Sequence, residues 1–296
     1  MSTFETPHPI SVSVEIDMGD IQIVAGDRTD CVVDVRPSDP ARPADVAAAE
    51  QTQVEFTNER LLVRAPKGWR QWTPWSRRES IDVRIELPAG SRLEGRAGVA
   101  TVRSSGRLGG CRFRTGFGDI RLDHAGPVEI RTGAGDITVD RLIGRSNVVV
   151  GSGVVSIRSV EGAAVVKNSN GDTWIGEAAD DVQVNAANGR ISIDLAHAGV
   201  SAKTAMGDVC LGEVTRGAVL AETSLGAVEV GIRDGVAAWL DLNTRFGNVQ
   251  NELDPSERPV PGEGTVEVRV RTSAGNITIH RSSSSTVREG HAEAPH

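Results

Sequence analysis

The stretch Thr115-Gly116-Phe117-Gly118-Asp119-Ile120 decides the fold, because its pattern returns along most of the chain. Its second glycine recurs at positions 118, 135, 153, 171, 189, 207, 226 and 247, and a ninth copy reads Gly275-Asn276-Ile277. The first five steps between these glycines are 17, 18, 18, 18 and 18 residues. A repeat this regular predicts a stack of nearly identical structural units, as in solenoid proteins.

Apolar residues alternate with polar ones on both sides of each repeated glycine. One apolar column before the turn reads Cys111, Val128, Ser146, Ala164, Val182, Val200 and Val219. One column after the turn reads Ile120, Ile137, Val155, Thr173, Ile191, Val209 and Val228. This alternation is typical of strands that bury one face. Each copy therefore predicts two strands and two turns, which make one coil of a single-chain β-solenoid, and we expect right-handed coils.

The composition agrees with an all-β chain. The 296 residues include 33 glycines and no tyrosine, and only 3% are aromatic, which favours many short strands and tight turns. The net charge of -8 argues against nucleic acid as a partner and against anionic membranes, because both are bound by basic surfaces.

The regularity of the pattern divides the chain into three parts. We expect residues 1–90 to form a strand-rich cap that continues into the solenoid, 91–280 to form the repeats, and 281–296 to be a disordered tail. Within the cap, alternating runs at 31–35, 54–57, 61–65 and 81–87 predict strands, and 39–51 predicts a loop with a short helix. Residues 251–264, which contain three prolines, predict a surface loop.

The cysteines and the N-terminal residues indicate the compartment of the cell in which the protein is found. Cys31, Cys111 and Cys210 show neither zinc-site nor disulfide spacing, and we interpret Cys111 and Cys210 as small apolar residues of the repeat. The N-terminal residues show no signal-peptide pattern, and no segment has the apolar length of a transmembrane helix. We therefore expect a cytoplasmic protein without membrane insertion.

The repeated Gly-Asp turns resemble half of a calcium-binding repeat, but the carboxylate is not constant. Three copies carry Val154, Arg190 and Ala227 at this position, so a ladder of metal ligands is disfavoured. We expect instead that these Asp and Asn side chains accept hydrogen bonds from nearby backbone amides. The sequence predicts no metal and no cofactor.

The candidate partner-binding segment is rich in tryptophan and arginine. Three of the five tryptophans lie beside three arginines, a composition found at protein-interface hot spots. Three alternatives apply to this segment: stacking on carbohydrate, stacking on single-stranded nucleic acid, which the net negative charge disfavours, and a fold-back onto the end of the solenoid. The candidate residues are Trp69, Arg70, Trp72, Trp75, Arg77 and Arg78.

The remaining polar residues indicate structure rather than catalysis. Asn168, Asn170, Asn185 and Asn188 fall at the corners of successive copies, where they can form a hydrogen-bonded ladder. The six histidines are scattered, and no phosphate-binding, esterase or metalloprotease motif occurs. A catalytic set of Asp119, Asp136 and Arg131 can be drawn, but a repeat rich in Asp supplies such sets by chance. We expect no enzymatic activity.

The Thr-Gly-x-Gly-Asp-Ile pattern, together with residues 167–176 and 234–242, resembles the bacterial β-strand-repeat family labelled putative adhesins, in particular its actinobacterial members. The similarity covers about residues 7–280. It implies a β-solenoid and provides no catalytic residues to transfer. It also implies a link to cell-envelope stress or transport, because some relatives belong to operons with those roles.

The sequence thus favours a non-enzymatic scaffold or protein-interaction module whose partner is another protein or a second copy of itself. A surface adhesin or carbohydrate-binding protein is the first alternative. A polysaccharide-active β-helix enzyme is the second.

Overall fold

Short β-strands make up nearly all of the computed structural model, which describes residues 1–66, 79–253 and 265–282. The first elements are β1 (Ser2–Glu5), β2 (Ser11–Gly26), β3 (Asp30–Pro37), α1 (Pro43–Gln51), β4 (Gln53–Thr57), β5 (Arg60–Arg64), β6 (Ile81–Pro88) and β7 (Arg92–Leu108). The next are β8 (Gly110–Phe117), β9 (Ile120–Ala125), β10 (Val128–Ala134), β11 (Ile137–Ile143), β12 (Ser146–Ser152), β13 (Val155–Glu161), β14 (Ala164–Asn170), β15 (Thr173–Ala178), β16 (Val182–Asn188) and β17 (Ile191–Ala196). The last are β18 (Val200–Met206), β19 (Val209–Val214), β20 (Gly217–Leu225), β21 (Val228–Arg233), β22 (Ala237–Phe246), β23 (Val249–Asn251), β24 (Thr265–Ala274) and β25 (Ile277–Ser282).

Each glycine-centred copy forms one coil, as predicted. From β8 to β19, every strand pairs in parallel with the equivalent strand of the next copy, so the ladders run along the solenoid. The apolar columns meet in register: Ile137 lies between Ile120 and Val155, and all three are fully buried. The core is therefore a continuous stack of Val, Ile, Leu and Ala side chains that no single coil could bury alone.

The corner glycines have two separate reasons for being glycine. Gly171 has a φ of +128°, which side chains disfavour, and a Cβ there would lie 2.1 Å from the Gly153 carbonyl oxygen. A Cβ at Gly153 would likewise lie 2.2 Å from the Gly135 carbonyl oxygen. The close stacking of one coil on the next therefore fixes the repeat as firmly as the turn does.

The N-terminal end is closed by antiparallel strands. β2 pairs in parallel along its whole length with β7 and, on its other side, with β5 and β6, which together form the first coil of the stack. Outside that coil, β3 pairs antiparallel with β6, β4 with β5, and β1 with β3. The four strands predicted in the cap are therefore confirmed.

The predicted short helix is also present and packs against β3 and β6. It is held by Asp45, a fully buried side chain that pairs with Arg42 at 3.2 Å and accepts the Ser80 backbone N–H at 3.1 Å. The described ranges contain no helix with the length and hydropathy needed to span a bilayer.

The C-terminal end departs from the order of copies along the sequence. β24 and β25, the last strands, pair with β20 and β21 on one side and with β22 and β23 on the other. The final copy is therefore the penultimate coil, and the copy centred on Gly247 is the outermost. The last two copies therefore do not stack in sequence order. In the observed order Val268 and Val270 are fully enclosed between two ladders, whereas β22, at the outer edge, contains no fully buried residue.

Candidate interaction surfaces

The tryptophan-rich candidate segment lies outside the described residues. Trp69, Arg70, Trp72, Trp75, Arg77 and Arg78 fall between 67 and 78, in the connection from β5 to β6. The described strands on either side of it, β5 and β6, pair with β2 in the first coil of the stack. Its role in binding a partner stays a prediction.

The Asp residues of the turns form a ladder of hydrogen bonds between coils. Asp136 Oδ1 accepts the backbone N–H of Val154 at 2.7 Å, the residue at the same place in the next coil. Asp119 accepts the Asp136 N–H at 2.9 Å, and Asp172 accepts the Arg190 N–H at 2.8 Å. The predicted amide-binding role is confirmed, and the amide belongs to the neighbouring coil rather than to the same turn.

In some copies another residue replaces the Asp of the turn, and these copies make other contacts between coils. At Arg190 the guanidinium instead pairs with Asp208 of the next coil at 3.2 Å. Asn276 accepts the Asn248 N–H at 3.0 Å. This contact again shows that the last copy lies between the rest of the stack and the copy centred on Gly247. In the part of the chain that the structure describes, His, Cys, Asp and Glu side chains form no group of three placed to hold a metal ion.

Asp136→Ala is expected to lower the free energy of unfolding by about 1 kcal/mol, because the Val154 N–H loses its acceptor. Urea unfolding measures this, with Thr138→Ala, an exposed position two residues later, as the control. The loss should be the same with added calcium and with a chelator. A calcium-dependent gain in stability that disappears in the variant would show that the carboxylate holds a metal.

The corner asparagines divide between two structural roles. Asn188 donates to Asn170 Oδ1 at 2.8 Å, so these two form the predicted ladder. Asn168 is buried and donates to the carbonyl oxygens of Gly153 and Gly171 at 3.0 and 2.9 Å. The prediction is wrong for Asn185, which lies in the middle of β16 on the outer face, in register with Lys167 and Lys203.

The first coils carry an arginine-rich outer face. The Glu129 carboxylate forms ion pairs with three guanidinium groups, those of Arg112 at 3.0 Å, Arg114 at 3.3 Å and Arg131 at 3.4 Å. Desolvation raises the pKa of Glu129, but the hydrogen bonds and charges of these arginines outweigh it and lower the pKa overall. Arg131 therefore neutralises a surface carboxylate and does not converge with Asp119 and Asp136, whose carboxylates bind amides at the corner. A cleft of about 470 Å³ beside Glu129 is lined in part by Arg92 and Arg145.

A second outer-face cluster was not visible in the sequence, because its members come from five coils. Trp174 donates its indole N–H to Asp194 at 3.0 Å, and burial raises the pKa of Asp194. Glu229 lies 3.2 Å from His280 and 4.0 Å from the Cys210 sulfur. Parallel register alone could have shown this, since Trp174, Cys210 and Glu229 occupy one column.

The chemistry of this cluster does not favour a nucleophilic thiol. Burial, and then the charge of Glu229, raise the pKa of Cys210, so the thiolate is less populated than in a free cysteine. Cys210 is half-buried on the outer face, so its interpretation as an apolar core residue is wrong; the alternation places Val209 and Leu211 inward instead. Cys111 is buried in the core as expected, and burial raises its pKa to about 12.

Apolar side chains stand exposed along one corner near the C-terminal end. Met206, Leu225 and Phe246 are 52%, 54% and 76% exposed, which is unusual for large apolar residues. They are neighbours, because Met206 pairs with Leu225, and Ala274 lies between Leu225 and Phe246. These four residues form a continuous strip, here called the apolar ridge, over four coils spaced about 4.8 Å apart.

A family model described as Toastrack DUF4097 matches residues 10–280 of the sequence. The chain belongs to this family. The match begins just before β2 and ends within β25. It therefore covers the coils that stack in sequence order and also the last two coils, which do not. The resemblance inferred from the repeated turn is therefore confirmed for the family as a whole.

Solved structures similar to this Toastrack chain have been described as putative adhesins. One from Bacteroides fragilis is 11% identical, covering 94% of this chain and 95% of that one, with a TM-score of 0.31. One from Parabacteroides distasonis is 12% identical over 94% and 95%, with a TM-score of 0.35. One from Parabacteroides merdae is 11% identical over 95% of each, with a TM-score of 0.31. Among curated proteins no sequence matches. At these scores the structural similarities carry no inference about the function of this Toastrack protein.

Proposed function

We propose that this protein is a non-enzymatic β-solenoid scaffold that binds another protein through the C-terminal end of the stack. The proposal includes self-association as one form of that binding. It also includes the link to cell-envelope stress or transport that the family resemblance implies.

The apolar ridge is the observation that supports the proposal. Contiguous apolar surface on a soluble protein is usually covered by a partner, because leaving it in water costs free energy in proportion to its area. The same corner is polar in the middle of the stack, where Ser152, Asn170 and Asn188 occupy the equivalent positions. The apolar character is therefore not a requirement of the turn, and in the described part of this column it is found again only in the first coils, where Phe117 is 61% exposed.

We also propose that the protein works in the cytoplasm. All three cysteines carry free thiols, and burial raises the pKa of Cys31 to about 11. Free thiols are typical of reducing compartments, where disulfides do not persist.

A photo-crosslinking residue at Leu225 tests the binding surface in cells that make the protein. We expect a discrete adduct with a second protein chain, identified by mass spectrometry. The matched control places the same residue at Ser152, which occupies the equivalent corner position in the polar part of the column. Fractionation of the same cells should recover the protein with the cytosol.

The proposal fails if Leu225 gives no more adduct than Ser152. Recovery of the protein on the cell surface, with adducts to glycans rather than to protein, would favour the adhesin or carbohydrate-binding alternative instead. The two readouts are independent, so location and binding are each decided by their own result.

A further inference from the structure

The strand β22 forms the outer edge of the C-terminal end. It pairs with β24 on one side, and within the described residues no strand pairs with its other side. The edge is ten residues long and contains no proline. A free edge of this kind presents a row of backbone donors and acceptors that another strand can bind. The opposite end of the solenoid differs, because antiparallel strands cover it.

The charges along β22 are arranged so that the strand is complementary to itself. Asp241 and Arg245 lie four residues apart, and neither makes an ion pair with another described residue; Arg269, which lies in register with Asp241, pairs with Glu267 instead. In an antiparallel pair of two β22 strands centred on Asn243, Asp241 of each chain lies opposite Arg245 of the other. Opposed residues have Cβ atoms about 5 Å apart, within reach of an ion pair.

The apolar residues of the strand favour the same register. It places Phe246, the most exposed residue of the apolar ridge, opposite Leu240 of the other chain. It also places Trp239, which is 57% exposed, opposite Gly247. A register centred on Asp241 would instead oppose the two Asp241 carboxylates, which is unfavourable.

We propose that the partner at this end is a second copy of the chain, joined tail to tail by antiparallel pairing of the two β22 strands centred on Asn243. The two copies are related by a twofold axis, so each contact occurs twice. This inference rests on the proposed function, because it names the partner for the C-terminal end. The dimer continues the ladder of one solenoid into the other and closes both free edges.

Charge exchange across the twofold axis tests the register. Light scattering of the wild type should give twice the 31.3 kDa mass of one chain. Asp241→Arg and Arg245→Asp should each weaken the dimer by about tenfold or more, because both cross-strand pairs become repulsive. An equimolar mixture of the two variants should restore the dimer, since an arginine of the first variant would then face an aspartate of the second at both contacts. The double variant, which carries both substitutions, should also dimerise.

Arg121→Asp is the matched control, because it makes the same charge change at an exposed position of β9, far from β22, and should leave the dimer intact. Thermal unfolding of each variant shows that the fold is retained. A wild type that stays monomeric at high concentration overturns the proposal, and so does a mixture of variants that fails to pair. If the chain is monomeric while Leu225 crosslinks to a different protein, tail-to-tail pairing is wrong and the proposed function stands.

Discussion

Ile137→Asp is expected to lower the free energy of unfolding by several kcal/mol, on the order of 4–5 kcal/mol, or to prevent folding. Ile137 has no exposed surface and lies between Ile120 and Val155 in the stacked core. A carboxylate there has no described polar partner and must either stay charged in an apolar environment or bind a proton. Both outcomes cost free energy that the isoleucine does not.

Thr138→Asp is the control for this substitution, since residue 138 is the exposed neighbour in the same strand. It should change the free energy of unfolding by no more than about 0.5 kcal/mol. Urea unfolding followed by circular dichroism measures both variants. Equal effects would contradict the assignment of inward and outward columns.

Gly171→Ala is expected to have the second large effect, with a loss of about 3 kcal/mol or more. Its Cβ would lie 2.1 Å from the Gly153 carbonyl oxygen, so the two coils would have to separate. The residue would also be strained at a φ of +128°. Separation at one coil breaks the continuity of both ladders, because each coil contacts only its neighbours.

Gly235→Ala measures the cost of a positive φ at a site where the added Cβ meets no neighbour. Gly235 has a φ of +78°, but a Cβ there would meet no atom within 4 Å. This variant should lose only about 1 kcal/mol, the cost of the left-handed conformation alone. Equal losses at the two positions, again by urea unfolding, would show that the backbone conformation and not the coil-to-coil contact requires the glycine at 171.

Most of the fold could be predicted from the sequence, because its information is local and repeated. Period-two alternation around Gly118 and Gly135 determines which side chains face inward, and a constant step near 18 residues determines that equivalent residues stack. The turn residues could be assigned for the same reason. Where a copy has Asp directly after its glycine, as at Asp136, turn chemistry predicted that the carboxylate accepts a backbone N–H, but not that this amide belongs to the next coil.

The surfaces could be predicted less well. The apolar ridge joins Met206 to Leu225 and Phe246 only through the register of separate coils, and the cluster of Cys210, Glu229 and His280 is assembled in the same way. In a single chain such residues are linked only through the columns of the repeat, whose order changes at the last two coils. The tryptophan-rich segment could be recognised from its local composition, and its partner-binding role stays a prediction.

The sequence by itself determined that this protein is a stack of β-coils and which columns of residues form its core. The reason is that strand alternation and glycine turns are local requirements, met anew in each copy. Only the tertiary structure decided the order of the last two coils and therefore which strand stands at the end. Both copies satisfy the repeat, and the pairing of one coil with another is a long-range contact that no single copy encodes: β24 and β25 are enclosed on both sides, and β22 remains at the edge with Arg245 and Phe246 exposed.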